Sequence, residues 1–124
     1  MTYDKNNIFA RIIRGEISCE KIYEDDSILA IEDIEPAAPV HVLIMPKGEY
    51  VSFDDFSIMA KPDKIAHFFK IVGQIAKMLK VDASGYRLIA NHGHNASQSV
   101  AHFHIHLLAG RPLGGLLPGD HLHR

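Results

Sequence analysis

The segment His102-Phe103-His104-Ile105-His106 sets three imidazoles at every second position. A β-strand sends alternate side chains to opposite faces. Read as a strand, the segment gathers His102, His104 and His106 on one face and turns Phe103, Ile105 and Leu107 toward a core. A helix would scatter the same rings around its circumference. Apolar neighbours and the closing Gly110 favour the strand. A row of aligned imidazoles contributes little to packing. Its chemistry is attack on phosphorus or the holding of a metal ion.

For attack on phosphorus, a neutral imidazole is a good nucleophile near pH 7. His104, in the middle of the row, is the candidate. A neighbouring ring can stabilise the equatorial oxygens or protonate a leaving group. The nucleophile must be held in one tautomer through its other ring nitrogen, commonly by a backbone carbonyl. The preceding run Asn95-Ala96-Ser97-Gln98-Ser99 is small and polar, and its backbone N–H groups are candidates for an anion nest. Ser99 adds a hydroxyl, acting from the loop because its parity is opposite to that of His102.

The metal alternative is limited by reach. Strand rise puts the Cα atoms of His102 and His106 ~13 Å apart, while Zn–N bonds are about 2.0–2.1 Å. A mononuclear site would take two of the three rings plus a ligand such as His41 or His92. The single cysteine, Cys19, offers no Cys-x-x-Cys clamp. His67, in a helix, and His121 and His123, near the end of the chain, are read as structural or solvated.

The surrounding elements follow from periodicity and punctuation. Ile8, Phe9, Ile12 and Ile13 have helical spacing between Asn7, a suitable N-cap, and Gly15, a suitable stop, which predicts a helix over about 7–14. Residues 21–24 and 28–31 flank Asp25-Asp26-Ser27 and read as a hairpin. Residues 40–45 read as a strand ended by Pro46 and Gly48. Ile65, Phe68, Phe69, Val72, Ile75, Ala76 and Leu79 predict one long amphipathic helix over about 62–80, with Pro62 in its first turn. Residues 86–90 read as a strand, 91–99 as a polar loop, and 100–108 as the histidine strand. Beyond about residue 110 the glycines and prolines predict an irregular tail. Five strands and two helices with short links give an α+β fold with a five-stranded antiparallel sheet, in a single domain spanning 1–124.

Composition narrows the ligand. With 124 residues and 47% hydrophobic content the chain suits one core. A formal net charge of −2 without a basic patch argues against duplex nucleic acid, so a phosphate ligand is expected to be small and locally held. No apolar leader and no run approaching the roughly 20 residues of a membrane span are visible. With one cysteine, no intramolecular disulfide forms. A cytoplasmic location is expected, and no membrane partner.

The run His102-x-His104-x-His106 followed by Leu107-Leu108 resembles the signature of the histidine triad family. So do the residues from Ile8 to Ile17, Asp33-Ile34, the stretch Pro36-Ala37-Ala38-Pro39-Val40-His41, and Ile44-Met45-Pro46-Lys47. Gly85-Tyr86-Arg87 with Asn91, and Gln98-Ser99-Val100, complete the resemblance, which runs over roughly residues 8–118 and is strongest to the nucleotide-binding branch. It implies a purine nucleoside phosphoramidate hydrolase in which His104 becomes a nucleotidyl-histidine. It implies that His106 and Ser99 contact the phosphate, that His102 and His41 complete the imidazole network, and that Asn91, Ser97 and Gln98 support the nucleotide. Asp33 would bind ribose hydroxyls, and Ile8, Phe9, Ile12 and Ile34 would line the base pocket of an AMP-like ligand. It implies no metal and no cofactor. It also implies a homodimer whose sheets join into a ten-stranded layer, and Gly73 within the long helix would allow close approach of a partner helix.

Two features depart from the family pattern. The loop before the triad, usually rich in glycine, reads Asn95-Ala96-Ser97, so a left-handed turn at Ser97 would be strained. The tail carries Gly114-Gly115-Leu116 and the chain has no tryptophan, which bears on the leaving group. Rival functions are dinucleoside polyphosphate hydrolysis and a nucleotide-binding dimer with incidental turnover.

Overall fold

The structure is a computed structural model that describes residues 2–124. A helix α1, Ile8–Ile13, opens the fold. Its N-cap Asn7 accepts the Ala10 N–H, and Gly15 at φ 81° follows as the stop. Strands β1, Lys21–Glu24, and β2, Ile28–Glu32, form the hairpin around Asp25, whose carboxylate accepts the Ser27 and Ile28 N–H groups. Strand β3 is Val40–Pro46. Helices α2, Phe53–Met59, and α3, Pro62–Met78, come next, followed by β4, Tyr86–Ile89, a 3-10 turn at His94–Ala96, and β5, Ile105–Ala109. The sheet has order β1-β2-β3-β5-β4, with every neighbouring pair antiparallel. The α+β fold with a five-stranded antiparallel sheet is therefore as expected.

The sheet buries both faces, and parity assigns residues to each. Ile28, Ala30, Val42, Ile44, Phe103, Ile105 and Leu107 pack against Phe56 of α2 and Phe68, Ile71, Val72 and Ile75 of α3. On the other face Leu29, Ile31, Leu43 and Met45 pack against Phe9 and Ile12 of α1. Leu43 pairs with His106 and His41 with Leu108 across β3 and β5. Directly paired residues share a face, so His41 and His106 stand on the α1 side.

Two boundaries and one additional helix differ from expectation. The histidine strand starts at Ile105, not at Val100. The β3–β5 register would set Phe103 opposite Pro46, which has no N–H to give, so the ladder stops at the Ile44–Ile105 pair. Alternation nevertheless continues upstream: Phe103 is core while His102 and His104 are buried on the opposite side. The long helix ends at Met78, and Lys80 follows at φ 60°. Helix α2 is additional. Its signal was present as Ser52-x-x-Asp55, an N-terminal pattern, and Asp55 accepts the Val51 N–H at 2.9 Å.

Candidate active site

Each imidazole of the site has partners that decide its tautomer. The His104 Nδ1–H donates to the His102 carbonyl at 2.7 Å. A carbonyl only accepts, so the proton sits on Nδ1 and Nε2 carries the free lone pair. His102 donates Nε2–H to the Pro46 carbonyl at 2.7 Å, and its Nδ1 accepts the Tyr3 hydroxyl at 2.6 Å. His41 accepts the Ala37 N–H at Nδ1, 3.0 Å away, so its proton is on Nε2. That Nε2–H faces His106 Nδ1 at 2.9 Å and Asp33 Oδ2 at 3.5 Å. His106 therefore accepts at Nδ1 and keeps its own proton on Nε2. The result is one imidazole with a bare Nε2, His104, beside one with Nε2–H, His106, their ring centres 5.1 Å apart.

Burial makes these rings neutral. His102 is wholly buried, and desolvation lowers its pKa to about 4 despite the bond to Pro46. His106 is lowered to about 4, first by desolvation and then by the neighbouring His104 and His41. Desolvation also lowers His104, against the bond to the His102 carbonyl and the charge of Asp33. Desolvation thus favours the neutral ring that carries the nucleophilic lone pair.

Residues expected to hold the nucleotide fall into two groups. Asp33, just after β2, is half-buried, with Oδ1 accepting the Glu35 N–H at 2.8 Å and Oδ2 facing His41. Ile8 and Ile34 are exposed, Ile34 at 90%, and present bare apolar surface. Phe9 and Ile12 are buried in the α1 packing, and the Phe9 ring stands edge-on to His104 at 4.9 Å. Asn91 lies just past β4 and is half-buried.

The loop before the triad is built differently from the expected nest. Ala96, Ser97 and Gln98 N–H groups donate within the loop, to the Gly93, His94 and Gly93 carbonyls. The 3-10 turn consumes these three, while Ser99 has both its N–H and its hydroxyl clear of any partner among the described residues. Ser97 does adopt the left-handed conformation, φ 58°, ψ 39°, the strained state expected of that sequence. The Gln98 side chain is turned inward, where it accepts the Gly93 N–H and donates to the Val51 and Val100 carbonyls. It shapes the loop. His92 is a second anchor: Nδ1 accepts the Ser52 hydroxyl at 2.7 Å, and Nε2 lies 3.5 Å from Asp54. His67 pairs with Asp25 at 2.8 Å, far along the chain from the triad.

Asp33, His41 and His106 each bring a potential metal-ligand atom to within 4.8 Å of the others. The proton arrangement does not suit a resident cation. Because a backbone N–H occupies His41 Nδ1, Nε2 has to carry the proton, and coordination there would require an imidazolate. The cluster is arranged to orient His106. Sequence reasoning missed three partners in this network: Tyr3, the Ala37 N–H and the Pro46 carbonyl. Tyr3 and Pro46 act across the fold, 99 and 56 positions from His102, whereas the Ala37 N–H lies only four residues before His41.

The model of the HIT domain family matches residues 14–113. An uncharacterised HIT-like protein of Azospirillum brasilense is 50% identical over 116 residues, covering 94% of this chain and 95% of the relative. The purine nucleoside phosphoramidase of Escherichia coli strain K12 is 38% identical over 113 residues, covering 91% and 94%. Among solved structures, a HIT family hydrolase from Clostridium thermocellum superposes with a TM-score of 0.85 at 38% identity, covering 92% of this chain and 99% of that one.

Proposed function

We propose, on the premise that this chain is a hydrolase belonging to the HIT domain family, that it cleaves the P–N bond of purine nucleoside phosphoramidates through a covalent nucleotidyl-histidine. The observation that carries the reading is the fixed tautomer of His104, whose Nδ1–H is held by the His102 carbonyl so that Nε2 is bare. The 38% identity to a purine nucleoside phosphoramidase supports the substrate class.

In this mechanism the His104 Nε2 lone pair attacks phosphorus and forms a P–N bond to the ring. The bond from phosphorus to the leaving nitrogen breaks, its electron pair goes to that nitrogen, and a proton from solvent completes the amine. The His104 ring now carries positive charge, which its Nδ1–H shares with the His102 carbonyl, so the group is stabilised yet remains a good leaving group. Water then attacks phosphorus, the bond to Nε2 breaks, and the water's proton returns to solvent. His106, fixed as an Nε2–H donor by His41 and Asp33, donates to a phosphoryl oxygen. Ser99 adds its free N–H and hydroxyl. Asp33 takes the ribose hydroxyls, and the exposed Ile8 and Ile34 cover the base. Neither a metal nor a cofactor enters this scheme.

The test is single-turnover mixing with an adenosine phosphoramidate followed by intact mass. A gain of one adenylyl group supports the reading. Turnover without the adduct points to direct water attack, and neither result leaves a nucleotide-binding dimer. Faster cleavage of a dinucleoside polyphosphate than of the phosphoramidate would favour the rival hydrolase.

The working unit we propose is a cytoplasmic homodimer, each chain one domain, joined through α3 and β4. Phe69, Met78, Tyr86 and Leu88 are exposed apolar residues of these elements. Gly73 of α3 has nothing of its own chain within 4 Å of an added Cβ, so a larger side chain there leaves the protomer undisturbed. Gly73→Leu should therefore keep or raise protomer stability through helix propensity, by up to ~1 kcal/mol. It should convert the dimer to monomer in sedimentation equilibrium. An unchanged dimer would place the interface elsewhere.

A further inference from the structure

The ring of His102 is fully enclosed, so it meets neither solvent nor substrate. Its influence on the nucleophile passes through its own carbonyl, which receives the His104 Nδ1–H at 2.7 Å. The position of that carbonyl depends on how the His102 ring is seated. One ring nitrogen is tied to β3, with Nε2–H on the Pro46 carbonyl at 2.7 Å. The other, Nδ1, accepts from Tyr3, which lies 99 positions earlier in the chain and ahead of α1. The tyrosine ring also stands edge-on to the imidazole, with centres 5.7 Å apart. No other group among the described residues bonds that nitrogen.

We infer that Tyr3 is a positioning residue for the nucleophile. Its hydroxyl holds His102 as the Nε2–H tautomer, which seats the ring on Pro46 and keeps the His102 carbonyl where His104 needs it. The segment before the first helix thus belongs to the active site without touching substrate. Burial raises the Tyr3 pKa, so the phenol remains a donor throughout the working pH range.

Removing only the hydroxyl leaves a buried acceptor without a donor. The Pro46 bond alone then favours the Nε2–H form, so a turned ring or the other tautomer costs less than in the wild type. Either change takes the donor away from the Pro46 carbonyl and loosens the main chain that orients His104.

The kinetic half of this inference rests on the covalent role proposed for His104, and the tautomer half does not. The experiment compares wild type, Tyr3→Phe and Tyr3→Leu by imidazole 15N NMR, single-turnover adenylylation and urea unfolding. Wild type should show His102 protonated at Nε2 and His104 at Nδ1. A wild-type His102 protonated at Nδ1 overturns the inference at once, whatever the variants do. In Tyr3→Phe the His102 signals should move toward a mixture of tautomers. Adenylylation should slow about tenfold, as for a lost buried hydrogen bond, with KM within about twofold. Tyr3→Leu should resemble Tyr3→Phe in rate. If Tyr3→Phe keeps the wild-type signals and rate and only Tyr3→Leu is impaired, ring packing is what matters and the inference fails. If wild type forms no adduct, the covalent reading fails, and the His102 and His104 signals of Tyr3→Phe still decide the role of Tyr3.

Discussion

His104→Ala should abolish adduct formation and lower turnover of an adenosine phosphoramidate by at least ~10³-fold, which corresponds to about 4 kcal/mol of barrier. The expectation follows from the arrangement of nitrogens. His104 is the ring of the triad whose Nε2 is bare; His106 keeps a proton there, and His102 is enclosed with both nitrogens bonded to protein. No neighbour can take over the attack without breaking a bond that the fold supplies. Binding should survive the substitution. The groups assigned to phosphate, ribose and base are His106, Ser99, Asp33, Ile8 and Ile34, and none depends on the His104 ring for its own partners. AMP affinity within a few-fold of wild type, measured by calorimetry, would accompany the loss of turnover. Retention of more than a tenth of the wild-type rate with normal folding would remove His104 from the nucleophilic role.

Acidification should destabilise the fold between pH 6.5 and pH 4. An unfolded histidine takes up its proton near pH 6.5, whereas buried His102 resists until about pH 4. In that window the unfolded chain binds more protons than the folded one, so stability falls as pH falls. Above pH 6.5 neither state is protonated at this residue and the slope vanishes. The difference corresponds to about 3 kcal/mol for His102 when the whole window is crossed. His106, also lowered to about 4 by desolvation and by the adjacent rings, acts in the same direction, reduced by its partial exposure. Urea midpoints at pH 7.5, 6.5, 5.5 and 4.5 measure the effect. His102→Gln should flatten the slope across this window, because the wild-type contribution is absent from both states. Equal slopes for wild type and His102→Gln would show that His102 is not the group responsible.

Much of the site was legible in the sequence because strand parity is a local property. Two-residue spacing sends Phe103, Ile105 and Leu107 into one core and the histidines to the opposite side, and this holds even where the ladder has stopped. Asn7, Gly15 and Pro62 mark helix ends through backbone requirements carried by single residues. The strained turn at Ser97 was readable for the same reason, since the residue type and its backbone conformation meet at one position. The extent of β5 was not readable. Pro46 interrupts it from another strand, and the register that brings Pro46 opposite Phe103 is set by chain closure. The loop nest was over-read, because a stretch of small polar residues does not show whether its N–H groups will close a 3-10 turn or remain open.

By itself, then, the sequence determined the family, the sheet and the common face of the imidazoles, all of which follow from residue types and short spacings. Whereas His104 and His41 are set by groups two and four residues away, the tertiary structure alone decided how His102 and His106 hold their protons. Those partners lie 99, 65 and 56 positions away for Tyr3–His102, His41–His106 and Pro46–His102. A tautomer is fixed by whichever donor or acceptor the fold brings within about 3 Å. Burial, which keeps the three rings neutral, is likewise a property of the closed core and of no single segment.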